Sequence, residues 1–158
     1  MAEIRYGKRE GPRGGKEYPV GASQRFQRRG GHFVTKVDGY IYLAASNMRG
    51  AGLLGWAETP KDDSGYNYWQ SSSTRGADSV FVHTALDNVY ELPWYGTRGA
   101  SLVATTLLGR GCDLICTPLT TDYQAAMIGK VASPIVIVDV DVDNKTVFVK
   151  IKPSSKIA

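Results

Sequence analysis

The chain has 158 residues, 42% of them hydrophobic, and a formal net charge of +4. That length suits one domain with a tail or arm, and that apolar share excludes a globally disordered chain. No apolar run approaches the roughly 20 residues a membrane-spanning helix needs. Residues 1–15 lack the apolar centre of a signal peptide, so the sequence reads as a protein made and kept in a cytosol, or assembled there into something larger, without a membrane partner.

The charge is unevenly placed. Residues 1–31 hold eight basic groups (Arg5, Lys8, Arg9, Arg13, Lys16, Arg25, Arg28 and Arg29) against Glu3, Glu10 and Glu17, a net of +5. The remaining 127 residues hold eleven basic and twelve acidic groups, a net of −1. Seven glycines and two prolines interrupt the leading stretch, and no hydrophobic period persists in it. It reads as an extended basic arm, residues 1–31, that takes its order from an acidic partner, ahead of a β domain at 32–158. Tyr6, Tyr18, Val20 and Phe26 are spaced like anchors for such docking. The alternative is a solvated leader.

From residue 32 the pattern becomes that of strands. His32–Val37 and Tyr40–Ala45 flank Asp38-Gly39, a pair suited to the two positive-φ positions of a tight hairpin turn. Leu53–Ala57 reads as a short strand in which Gly55 marks a bulge or a close backbone approach. Residues 59–78 read as a long polar loop. Its Tyr66, Tyr68 and Trp69 either contact a partner or cap the chain's own core. Ser79–Thr84 and Val89–Leu92 read as a second hairpin about residues 85–88, and Pro93 closes it or marks an edge. Trp94 and Tyr95 follow as further candidate contacts. Ser101–Leu108 fits a strand or a helical turn, Cys112–Thr117 a strand, and Tyr123–Val131 either a helix or a strand.

The clearest alternation comes last. Residues 135–142 and 146–152 are two β-branched runs about Asp143-Asn144-Lys145, which predicts a half-buried antiparallel pair. Val136, Val138, Val140 and Val142 are expected to face the core, with Asp and Lys in water on opposite strands. Roughly eight to ten short strands with no convincing long helix predict an all-β fold, an antiparallel sandwich or barrel.

Sites of chemistry are sparse. Asp139-x-Asp141-x-Asp143 resembles the start of a calcium loop, but Asn144 stands where that loop needs glycine and Lys150 where it needs a bidentate glutamate. Cys112 and Cys116 would lie about 13 Å apart along a strand, too far for a disulfide, and lack histidine partners at zinc-ligand spacing. His32 and His83 have no nucleophile motif beside them. Gly50, Gly52 and Gly55 match G-x-G-x-x-G spacing without the helix that a nucleotide site requires. The expectation is a protein with no catalytic residues, no metal and no cofactor. Arg25, Phe26, Arg28 and Arg29 mix charge and stacking as single-strand nucleic-acid binders do, which keeps a small nucleic-acid-binding β-barrel as the rival reading.

The order of the segments 33–44, 54–57, 79–93 and 136–151 resembles that of the decoration, or cement, proteins of tailed-bacteriophage capsids. The resemblance implies a β-tulip-like domain that sits on the outer face of an assembled head. It implies a homotrimer that clamps neighbouring subunits of the major capsid protein, found on the virion after assembly in the host cytoplasm, with nucleic acid an improbable partner. On that reading the basic arm crosses acidic capsid surface, and Tyr66, Tyr68, Trp69, Trp94 and Tyr95 are subunit or partner contacts.

Overall fold

The computed structural model describes residues 7–11, 14–27, 31–44, 52–61, 68–94, 107–116, 124–127 and 134–157. Among them thirteen strands form: β1 (Gly7–Glu10), β2 (Gly15–Pro19), β3 (Arg25–Gln27), β4 (His32–Val37), β5 (Tyr40–Leu43), β6 (Gly55–Ala57), β7 (Tyr68–Gln70), β8 (Ser79–His83), β9 (Val89–Pro93), β10 (Gly111–Cys116), β11 (Gln124–Met127), β12 (Ile135–Asp141) and β13 (Thr146–Ile151). They build a six-stranded sheet in the order β1-β9-β13-β12-β10-β11, a five-stranded sheet in the order β2-β8-β6-β4-β5, and the pair β3-β7. Every ladder between these strands is antiparallel. The all-β, antiparallel expectation therefore holds.

Two cores explain the arrangement. The first gathers Phe33 and Trp56 of the five-stranded sheet with Tyr90, Leu92, Leu114, Ile135, Ile137, Val147, Val149 and Ile151 of the six-stranded sheet. Phe33 meets Trp56 edge-on at 4.8 Å and Tyr90 at 4.8 Å, while Trp56 stacks on Tyr90 at 5.0 Å. Such pairs add about 1 kcal/mol each beyond the area they bury. The second core lies on the other face of the five-stranded sheet, where Val34, Ile41, Ala57, Val80 and Val82 meet Phe26 and Trp69 from β3 and β7. The five-stranded sheet is thus covered on both sides. His32, Phe33, Val34 and Thr35 are buried without a break, as a strand between two cores must be.

Turns follow their chemistry. Asp38 and Gly39 take φ of 52° and 86° between β4 and β5, the positive pair a two-residue hairpin asks for. Gly55 is a close approach: a Cβ there would collide with the His83 carbonyl oxygen of β8. Cys112 lies buried inside the first core.

Several expectations fail. Residues 79–92 are not a hairpin: β8 pairs with β2 and β6, whereas β9 pairs with β1 and β13. The link at 84–88 carries the chain from one sheet to the other. Its Asn88 is fully buried and donates to the Tyr90 hydroxyl at 3.2 Å. In β12 the buried residues are Ile135 and Ile137, while Val138 and Val142 are exposed. A bulge between Ile137 and Asp139 shifts the register, so that Val140, and not Val138, returns to the core side. An extra residue re-aims every side chain beyond it. Residues 124–127 are a strand, β11.

The leading stretch departs most from expectation. Its described residues are not an arm awaiting a neighbour, because β1, β2 and β3 pair with β9, β8 and β7 of the same chain. The β domain therefore includes them, and the boundary at 31/32 disappears. Val20 and Phe26 are anchors, but for the chain's own second core. The glycines permit contact here more than mobility. A Cβ at Gly15 would strike the Val82 carbonyl, and one at Gly31, whose φ is +91°, the Ala57 carbonyl.

Gln124 ties the two sheets together. It lies on β11, fully buried, and its amide reaches the backbone at the start of β4 and just beyond β5. Its Oε1 accepts the Phe33 N–H at 2.6 Å, and its Nε2 reaches the carbonyls of Phe33 at 2.9 Å and Ala44 at 3.0 Å. These bonds stand beside the one that still joins the strands there, in which the Ala44 N–H donates to the Phe33 carbonyl at 3.0 Å.

Candidate partner-binding face

Of the residues named in the leading stretch, Arg5, Tyr6, Arg13, Arg28 and Arg29 lie outside the described residues, as do Tyr66 and Tyr95 of the aromatic set. The others divide by what they touch. Arg9 is committed internally: its Nε donates to Glu91 Oε1 at 2.9 Å, and the Thr146 hydroxyl donates to the other oxygen of that buried carboxylate. This ion pair fastens β1 to β9, and removing the guanidinium would leave a buried charge without its partner. Lys8 donates to the Gly11 carbonyl at 2.7 Å. Phe26 is fully buried and Trp69 nearly so, both in the second core, so neither is a surface anchor. Trp94 is half-buried against the first core and carries an indole N–H with no hydrogen-bond partner.

What remains gathers where the two edges of the five-stranded sheet meet. Val20, just beyond β2, bridges Ile41 of β5, and the Gly21 N–H donates to the Ile41 carbonyl at 2.9 Å. Two tyrosines along this seam, and Tyr68 of the separate β3-β7 pair, carry cations over their rings. Lys16 and Lys36 lie 5.1 and 5.7 Å from the ring centre of Tyr18. The Arg75 guanidinium lies 4.5 Å over Tyr40, and that of Arg25 lies 4.5 Å over Tyr68 while its Nε donates to Gln70 Oε1 at 2.8 Å. The register explains the first group. Lys16 is opposite Val82, Tyr18 opposite Val80 and Lys36 opposite Ile41, so all three point to the face that holds the second core. Lys156 joins them from beyond β13. Burial, and then the charge of Lys36, hold its pKa below the ordinary lysine value. The sequence flagged Lys16, Tyr18, Arg25 and Tyr68. It did not flag Lys36, Lys156, Arg75 or Tyr40, which reach the seam only through pairings far apart in the chain.

The histidines occupy opposite faces of the five-stranded sheet. His32 is level with Ala57, and His83 with Trp56, one residue out of phase. The Gln27 N–H donates to His32 Nε2 at 2.8 Å, and burial pushes the His32 pKa down to about 3. Its basic nitrogen is thereby occupied and its ring neutral. His83 Nε2 is 2.7 Å from Glu58 Oε1. Near that pair a shallow cleft of about 340 Å³ is lined by residues including Glu17, Glu58, Thr59, Lys61 and Phe81. Among the described residues no group of three or more His, Cys, Asp or Glu could hold a metal ion. Comparisons with protein-family models, curated proteins and solved structures give no match to the chain.

Proposed function

We propose that the chain is a structural virion protein, a decoration protein that binds the outer surface of an assembled tailed-phage head and stabilises it. The observation that carries this reading is the use the fold makes of the resembling segments. Residues 33–44, 54–57, 79–93 and 136–151 supply β4, β5, β6, β8, β9, β12 and β13, which are the edge strand β5 and every interior strand of the two sheets except β10. A body built on them is self-contained and can add to a finished shell as a ligand does. Binding the assembled major capsid protein, and not its free subunits, would stabilise the shell by mass action. Trimerisation belongs to the same proposal.

The N-terminal arm drops out of the mechanism for its described residues, since they are strands of the body. Deleting residues 1–31 would remove β1 to β3 and would test folding, not docking. The direct test uses particles of the phage that encodes the chain. Purified full-length protein is added to particles stripped of it, and both sedimentation and thermal rupture are followed. The expected result is saturable co-sedimentation and a higher rupture temperature. Absence of the chain from purified particles, together with no rebinding, would overturn the reading.

A further inference from the structure

We propose that the seam between β2 and β5 is a docking face for an acidic protein segment, whose carboxylates seat against Lys16, Lys36 and Lys156 around Tyr18 and against Arg75 on Tyr40. The inference rests on the shell-binding reading for the identity of the partner, and on the seam itself for the chemistry.

Lys16 and Lys36 converge on Tyr18, Lys156 lies near Lys36 with its Nζ donating to the Ile157 carbonyl at 2.6 Å, and none of the three forms an ion pair with a carboxylate among the described residues. Glu17, their neighbour in sequence, alternates to the other face and lines the cleft beside Phe81. Gathering like charges without a counter-charge costs free energy, and a carboxylate supplied from outside would recover it. Lys156 is partly buried and near enough to Lys36 to feel its charge. Arg75 lies on the same seam: the Gly76 N–H donates to the Val20 carbonyl at 2.9 Å, and the Gly76 Cα faces the Tyr40 ring.

The rings decide between an acidic protein and a nucleic acid. A single-strand binder leaves aromatic faces open for bases to stack on. Here Tyr40 and Tyr68 each already carry one of the chain's own cations and Tyr18 carries two, at 4.5–5.7 Å. A base would have to displace that cation, whereas a carboxylate needs it where it is. A cation resting on a ring has also lost part of its freedom before the partner arrives, which lowers the ordering cost of docking.

The test uses the full chain, an oligoglutamate peptide and an oligothymidylate of equal length, titrated at low and moderate salt. The variant is Lys16→Glu/Lys36→Glu, with Lys16→Gln/Lys36→Gln as a milder second. Circular dichroism and the thermal midpoint establish that each is folded. The wild type is expected to bind the peptide more tightly than the oligonucleotide. The charge-reversed variant should bind the peptide about tenfold more weakly, as removal of two steering charges warrants. Equal peptide binding by wild type and both folded variants would overturn the assignment. Tighter binding of the oligonucleotide would overturn it in favour of nucleic acid.

The same proteins are then added to stripped particles. Wild-type binding that the variant retains in full would overturn the seam and leave the shell-binding reading standing. Seam-dependent peptide binding without shell binding would do the reverse.

Discussion

The two sheets of this protein are made from similar alternating strands and are buried in different ways. The six-stranded sheet has one face in the first core, while along β12 the other face carries exposed Val138 and Asp139. The five-stranded sheet is enclosed by the first core on one side and by β3 and β7 on the other. Where both faces are covered, polar residues cannot be sent to water. His32, Thr35 and His83 accordingly lie inside. Alternation in a strand states that it has two faces. It does not state that one of them is wet.

The contrast can be broken most severely at Trp56, the fully buried ring that packs beside Phe33 and stacks on Tyr90 of the six-stranded sheet. Trp56→Ala is expected to cost about 4 kcal/mol, the range for emptying a large aromatic site, and denaturant unfolding would measure it. A loss under 1 kcal/mol would mean that the space between the sheets collapses freely and that the two layers are not separately specified. Gln124→Leu comes next. It strips partners from the buried Phe33 N–H and Ala44 carbonyl, and an expected loss of about 3 kcal/mol follows from leaving such groups unpaired. Near-neutrality in the same titration would show that neighbouring backbone or water replaces the amide.

A third test sharpens the comparison through pH. The His32 pKa is lowered from 6.5 to about 3 in the folded chain. Below the unfolded value the unfolded state therefore binds the additional proton. Stability should fall as pH drops from about 6.5 towards 3, by at most about 1.4 kcal/mol per unit from this group. Comparing unfolding curves of the wild type and His32→Gln across that window isolates the contribution. Parallel pH profiles would mean that the imidazole titrates freely and is not enclosed.

Much of the fold was legible where a local rule decides the outcome. Asp38-Gly39 fixes its turn because both residues tolerate positive φ, and Val147, Val149 and Ile151 face inward as their period of two requires. Legibility ended where the deciding contact was distant. Nothing near β8 and β9 says that they join different sheets. The β12 bulge leaves no mark in a run of valines and aspartates. The strands β3 and β7, three residues each, are too short to show a period. Glycine misled most: in the leading stretch it signalled disorder, whereas Gly15 and Gly31 let backbone meet backbone. The seam was half visible, through Lys16, Tyr18, Arg25 and Tyr68, because those lie in the basic leader or beside its pairing partner. Lys36, Lys156, Tyr40 and Arg75 join it only in three dimensions.

The strand order also sets a timetable for synthesis. All five strands of β2-β8-β6-β4-β5 have been translated once His83 has left the ribosome, but β13 occupies an inner position of the larger sheet and ends at Ile151. Until that last ribbon emerges, β9 and β12 have no neighbour between them, and β1 can find β9 but not a finished sheet. Pairings so remote along the chain close slowly. Between the emergence of His83 and that of Ile151 the nascent chain would therefore have one layer complete and the apolar side of that layer still waiting for its cover.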